Sequence, residues 1–184
     1  MTYQFSHFNK HIAASLGEKD ITVVINNKGI ETVRHLAYTA IRKIHLLAQD
    51  VNIFKCKVFF DEDNYTLSLS SIDISLKMVR PSQEQFVAYS LFVKGLHQKV
   101  LADESLKQRV AFVCGNSTKM WLFISVIAFS FLFSLPMAIS LKRYEFLLLL
   151  PGALLVLLPF MYKTGFTRSY NSEDGDAIAK FLPK

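Results

Sequence analysis

At 184 residues, 51% of them hydrophobic, the chain has room for one soluble domain of about a hundred residues plus an anchoring segment, and for little else. Its formal charge of +6 is scattered over Lys and Arg without a run of five or more, which excludes the basic cluster that a nucleic-acid partner requires. Cys56 and Cys114 fall in separate predicted elements without CxxC spacing, which argues against a disulfide or a metal site and for two buried or semi-buried thiols in a reducing compartment.

The first residues, 1–19, have no basic start followed by an apolar run, so no secretory signal is expected. From Tyr3 to Met78 the pattern is that of short strands. Tyr3 and Phe5, then Ile21–Asn26, are strand-like, and Asn26, Asn27, Lys28 and Gly29 make a turn that tolerates positive φ, with Ile30–Val33 as the return arm. Ile41, Ile44 and Leu46 mark a further apolar run. Phe54, Cys56, Val58 and Phe60 alternate with Lys55, Lys57 and Phe59, as a strand with one buried face does. Asp61, Glu62, Asp63 and Asn64 form a polar turn. Tyr65, Leu67 and Leu69 then alternate with Thr66, Ser68 and Ser70, and Ile72, Ile74 and Leu76 continue the pattern.

After Pro81 the period becomes helical. Phe86, Tyr89, Val93, Leu96 and Val100 fall on one face, and Ser82 followed by Gln85 predicts a capping box. Many strands closed by one amphipathic helix imply an α+β domain, a small curved sheet or open barrel plugged by that helix. Gly115, Asn116 and Ser117 read as part of a linker.

Trp121–Leu141 is an uncharged apolar stretch that as a helix would cover roughly 30 Å of hydrocarbon. Lys142, Arg143, Tyr144 and Glu145 make a tight turn before Phe146–Tyr162, a shorter run containing Pro151 and Pro159. The pair is expected to be a transmembrane hairpin, with Trp121, Tyr144 and Tyr162 at its interfaces. Ser130, Ser134 and Ala138 put small side chains on one face of the first helix, against which Gly152 and Ala153 of the second would pack. Lys107, Arg109, Lys119, Lys163 and Arg168 flank the hairpin against Lys142 and Arg143 in its turn, which predicts both termini in the cytoplasm. Neither run contains Asp, Glu, Lys, Arg or His, so the hairpin alone is expected to be a poor transporter and to anchor or pack instead.

No catalytic, cofactor-binding or metal-binding residues are assigned, and no cofactor is expected. His7, His11, His35, His45 and His97 are scattered; His7 and His11 have i, i+4 spacing but fall in predicted strand or loop. Asp61, Glu62 and Asp63 lack the glycine and closing Glu of a calcium loop. Glu173, Asp174 and Asp176 read as a solvated acidic tail. There is no P-loop, GxSxG or Rossmann fingerprint.

The order of elements resembles the pleckstrin-homology-like (PH-like) superfold, and the chain as a whole resembles bacterial membrane-anchored PH-like proteins, which carry that domain ahead of a transmembrane hairpin. The residues that carry the resemblance are Ile21–Gly29, the stretch Ala37–Leu46 with YTAIRKIHL, the helical AYSLFVKGLH of Ala88–His97, and an ending with Arg168, Tyr170, Leu182 and Pro183. In the tail the segment NSEDGDAIAKF is longer than that family's and lacks its prolines. The resemblance implies a PH-like domain over 1–102, a linker over 103–120, the hairpin over 121–162 and a polar tail over 163–184. Some PH domains bind phosphoinositide headgroups, but the first hairpin turn offers only Lys28, with Arg34 after it, too few cations for a headgroup pocket. Arg42, Lys43, Lys55 and Lys57 are instead expected as a diffuse basic face suited to anionic lipid.

The function expected is a non-enzymatic interaction or scaffold module, held at the cytoplasmic face of a bacterial inner membrane by lipid contact through its hairpin. It would bind a protein partner or associate with itself; no nucleic acid and no small-molecule substrate is expected. The alternative is an accessory subunit of a multisubunit membrane transporter or enzyme, docked through the hairpin. A third reading, direct lipid sensing, expects vesicle binding by residues 1–117 that weakens with salt.

Overall fold

A computed structural model describes the chain except for residues 51–52, 75–78, 81, 116, 142–166, 174, 180–181 and 184. The chain divides into two compact units, Met1–Cys114 with Ser169–Lys184, and Gly115–Arg168.

The first unit is α+β. It opens with a four-stranded antiparallel meander: β1 (Thr2–His7), β2 (Lys10–Leu16), β3 (Asp20–Asn27) and β4 (Ile30–Ala37). The β3–β4 turn is the expected one. Lys28 and Gly29 take φ of 53° and 87°, and the Gly29 N–H donates to Asn26 Oδ1 at 3.0 Å, the side-chain-closed turn for which Asn and Gly are suited. Strand β2 has no apolar alternation to announce it. Its Ala13, Ala14 and Ser15 are held by pairing on both sides instead.

The second meander is β5 (Ile41–Asp50), β6 (Ile53–Phe60) and β7 (Thr66–Ser70). Phe54, Cys56, Val58 and Phe60 all face the core, as their alternation predicts. Ile41 and Ile44 are both buried although three apart, because a register shift between Ile41 and Lys43 inserts one residue and turns the strand over. Short strands β8 (Asp73–Ile74) and β9 (Val79–Arg80) return to the first sheet, whose order is β4-β3-β2-β1-β8-β9. Leu76, expected in the same run, lies outside the described residues.

Helix α1 (Gln83–Leu101) buries Tyr89, Phe92, Val93, Leu96, His97 and Val100 in the core between the sheets. Ser82 caps it by accepting from the Gln85 N–H at 3.1 Å. The Gln85 side chain donates to Asp73 Oδ1 at 3.0 Å, so half of the expected capping box is used to tie the helix to β8.

Residues 103–120, expected as a linker, carry more structure than that. Asp103 caps α2 (Glu104–Arg109), and β10 (Ala111–Cys114) then pairs parallel to β5, from Ala111 opposite Lys43 to Cys114 opposite Leu46. Parallel pairing needs a long crossover, and α1 with α2 supplies it. The tail also joins this unit. β11 (Arg168–Ser169) follows β10 in the sheet order β11-β10-β5-β6-β7, and α4 (Gly175–Ala179) and the residues after it bury Ile178 and Leu182 in the core. Apolar positions spaced along an otherwise polar segment drive that docking.

In the second unit α3 (Ser117–Leu141) covers the run expected as the first arm of the hairpin. Its Ser125 and Ser130 hydroxyls donate to the Trp121 and Val126 carbonyls, each at 2.8 Å, and the Phe129 and Phe133 rings meet at a tilt with centres 4.4 Å apart. The transmembrane expectation is corrected here. Crossing hydrocarbon takes one unbroken apolar helix of about 20 residues. α3 begins with Ser117, Thr118 and Lys119 and contains Pro136, and among the described residues no helix is long and apolar enough to cross a membrane. The second arm, Phe146–Tyr162, lies outside the described residues. The transmembrane hairpin as part of the fold class and the multi-pass placement in a bacterial inner membrane with both termini cytoplasmic are therefore corrected together.

Candidate functional site

The pleat of the first meander sorts its side chains into two faces. Tyr3, Phe5, Ala14, Ile21, Val23 and Leu36 turn inward, while Ser6, His11, Asn26 and Glu31 stand side by side in one cross-strand row on the outer face. That row borders a cleft of about 460 Å³ completed by Asp73. Ser6 Oγ and His11 Nδ1 are 2.9 Å apart, and Asp73 Oδ1 accepts from the Ser6 N–H at 2.5 Å and from Gln85. A nucleophilic triad needs its carboxylate behind the imidazole, orienting the ring. Here the carboxylate is on the serine's side and fastens β1 to β8 and α1, so the arrangement is a polar sheet surface. His7 lies in the inward-facing register of β1 and His11 opposite Ser6 on the outer face, so the i, i+4 pair is split by the sheet and cannot hold one metal ion.

The second meander carries the cations. Lys43 on β5 and Lys55 and Lys57 on β6 share its outer face, with Lys57 opposite His45. Arg42, expected with them, stands at the bulge. Lys43 lies 5.4 Å from the centre of the Phe59 ring, and no ion pair among the described residues uses Lys43, Lys55 or Lys57. Burial, with the neighbouring Lys57 ammonium, pulls the Lys55 pKa below the ordinary lysine range. Arg34 is 4.8 Å from the centre of the Tyr65 ring; burial raises that phenol and the guanidinium opposes the rise.

A second cleft, of about 260 Å³, runs along β7 between the sheets. Its floor is apolar (Phe5, Ile12, Ile25), and Lys10, His7 and Lys55 stand around it with the hydroxyl residues Thr66 and Ser68. Neither Lys10 nor the exposed edge of β7 was marked by the sequence. A lysine at a strand start carries no signal of its own, and which strand lies last in a sheet is not written locally.

A third cluster joins the tail to the core. His97 Nδ1 is 2.8 Å from the Val93 carbonyl and Nε2 is 2.6 Å from the Tyr170 hydroxyl. The carbonyl can only accept, so Nδ1 carries the proton and the Tyr170 O–H donates to Nε2. Burial lowers the His97 pKa, against a smaller opposing effect of the Val93 carbonyl. His97 occupies the same buried helical stripe as Val93 and Val100, which is the signal that would have found it.

Cys56 and Cys114 are both buried and free, as expected. Each lies opposite Leu46, from either side of β5, which places them about 10 Å apart across two strand spacings and beyond disulfide reach. Burial pushes the Cys56 thiol up to about 12, so it is held as an inert thiol. No protein-family model, curated protein or solved structure matches this chain.

Proposed function

We propose that the unit formed by Met1–Cys114 and Ser169–Lys184 is a non-enzymatic PH-like interaction module that recruits or regulates a protein partner. One observation carries the reading: Lys43, Lys55 and Lys57 are held on one face of a rigid sheet without an ion pair among the described residues. Such cations repel one another, and an acidic partner relieves that repulsion while setting orientation and association rate. The order of two antiparallel meanders followed by α1 supports the PH-like resemblance.

The test is crosslinking in cells of the tagged full chain, then sizing and identification of its neighbours. A partner recovered in fixed proportion is expected, and it should be lost from a Lys43→Glu, Lys57→Glu double variant whose unfolding midpoint is unchanged. Repeated recovery of the chain alone, as a monomer, would overturn the reading.

A further inference from the structure

Among the described residues β7 ends its sheet, with β6 as its one neighbour. Backbone groups in an antiparallel ladder point alternately toward and away from the neighbouring strand. The Tyr65 carbonyl accepts from the Phe60 N–H, and the Ser71 N–H donates to the Phe54 carbonyl, so residues 65, 67, 69 and 71 turn toward β6. Ser70 belongs to the other set: its carbonyl accepts from the Tyr3 hydroxyl at 2.5 Å, across the molecule. By the same alternation the N–H and C=O groups of Thr66 and Ser68 point away from β6, along the cleft that these two residues line. The edge is therefore satisfied at its Ser70 end and open for one short stretch.

The cleft has two unlike walls. A strand laid along β7 turns alternate side chains to opposite sides. One set would rest on Phe5, Ile12 and Ile25, with Lys10 at the end of that same face of β2; the other would meet Lys55 on the outer face of β6, and neither lysine is in an ion pair among the described residues. We propose that the β7 edge binds an extended acidic segment of a protein partner, alternating apolar and acidic residues, by adding it to the second sheet as a further strand. This rests on the interaction-module reading and names the partner's chemistry and its site.

Charge decides among the possible occupants. Two copies paired edge to edge would bring Lys10 and Lys55 of each to one shared cleft, whose lining residues include no carboxylate to offset them. Lysines beside an open edge keep identical edges apart in just this way, and the same cations admit an edge of opposite sign. The chain's own acidic tail is engaged elsewhere, with Glu173 paired to Lys107 at 2.5 Å. An anionic bilayer would meet the lysines but supplies no strand for Thr66 and Ser68 to pair with.

The test uses the full chain and fluorescent peptides read by anisotropy at low salt. A short peptide alternating Glu and Val is expected to bind, and a block peptide of the same composition to bind about tenfold more weakly or not at all. Lys55→Glu and Lys10→Glu should each weaken the alternating peptide by about tenfold. Ser68→Pro, which removes an outward N–H at an edge position where proline is tolerated, should abolish binding. In the wild-type chain, amide exchange at Thr66 and Ser68 should slow on peptide addition, a readout that does not depend on how any variant folds. Equal binding of the block peptide, unchanged exchange at Thr66 and Ser68, or no binding of the alternating peptide would overturn the proposal. So would binding to phosphatidylglycerol vesicles without peptide binding. If the peptide fails while a partner is still recovered from cells, the site is wrong and the interaction-module reading stands.

Discussion

His97 shows how a single side chain links the helix, the tail and the pH response. Above about 6.5, the ordinary histidine value, its imidazole is neutral in both folded and unfolded chains and contributes no pH dependence. Below that value the unfolded chain takes up a proton that the buried ring resists, because a charged ring is poorly solvated there. Stability therefore falls as pH drops from about 6.5 toward the lower folded pKa, and levels off beneath it. Denaturant midpoints measured between pH 7.5 and pH 5 should decline in the wild type and decline less in His97→Gln. Parallel slopes would show that the ring's burial does not govern acid stability. That His97 is buried was legible from its place beside Val93 and Val100 on one helical stripe; that its partner is Tyr170, 73 residues onward, was not.

At the scale of elements, turns and caps were the most readable features because their chemistry is local. The β3–β4 turn closes through one hydrogen bond, from the Gly29 N–H to Asn26 Oδ1, and two positive φ angles, at Lys28 and Gly29, all demanded by residues adjacent in sequence. A Cβ at Gly29 would meet nothing within 4 Å, so Gly29→Ala tests backbone conformation alone. At a φ of +87° that substitution should cost about 1 kcal/mol, read as a lower thermal midpoint with no change in the far-ultraviolet spectrum. An unchanged midpoint would mean the turn relaxes without penalty. The capping box was half legible: Ser82 caps as expected, but Gln85 prefers Asp73, a contact set by where β8 returns to the first sheet. β2 escaped notice because Ala13, Ala14 and Ser15 have no periodic signal, and its strand state is imposed by β1 and β3.

For the whole molecule one departure concerns the last residues. A polar tail was expected, yet Tyr170, Ile178 and Leu182 pack against the core, and the Tyr170 N–H donates to the Phe112 carbonyl at 3.2 Å. Burying Ile178 and Leu182 is worth about 1.5–3 kcal/mol each, offset in part by the entropy of ordering the segment. Deleting residues 169–184 should therefore lower the denaturant midpoint clearly and make the Phe112 and His97 region accessible to exchange. A deletion variant as stable as the full chain would show that the tail rests on the unit without stabilising it. The apolar run from Trp121 gives the opposite lesson: hydropathy predicted a helix and a helix forms over Ser117–Leu141, but being apolar in sequence is not the same condition as being long and apolar enough to cross.

The amino-acid order by itself determined what depends on neighbours along the chain. It set the alternation that buries Phe54, Cys56, Val58 and Phe60, the turn at Lys28 and Gly29, and the helical stripe of α1, since side-chain direction follows backbone period. Tertiary structure alone decided which strand ends a sheet, that Lys10 and Lys55 stand beside the same cleft, that His7 and His11 part to opposite faces, and that the tail returns to His97. Those are relations between segments distant in sequence, fixed by pairing and burial that no local pattern encodes.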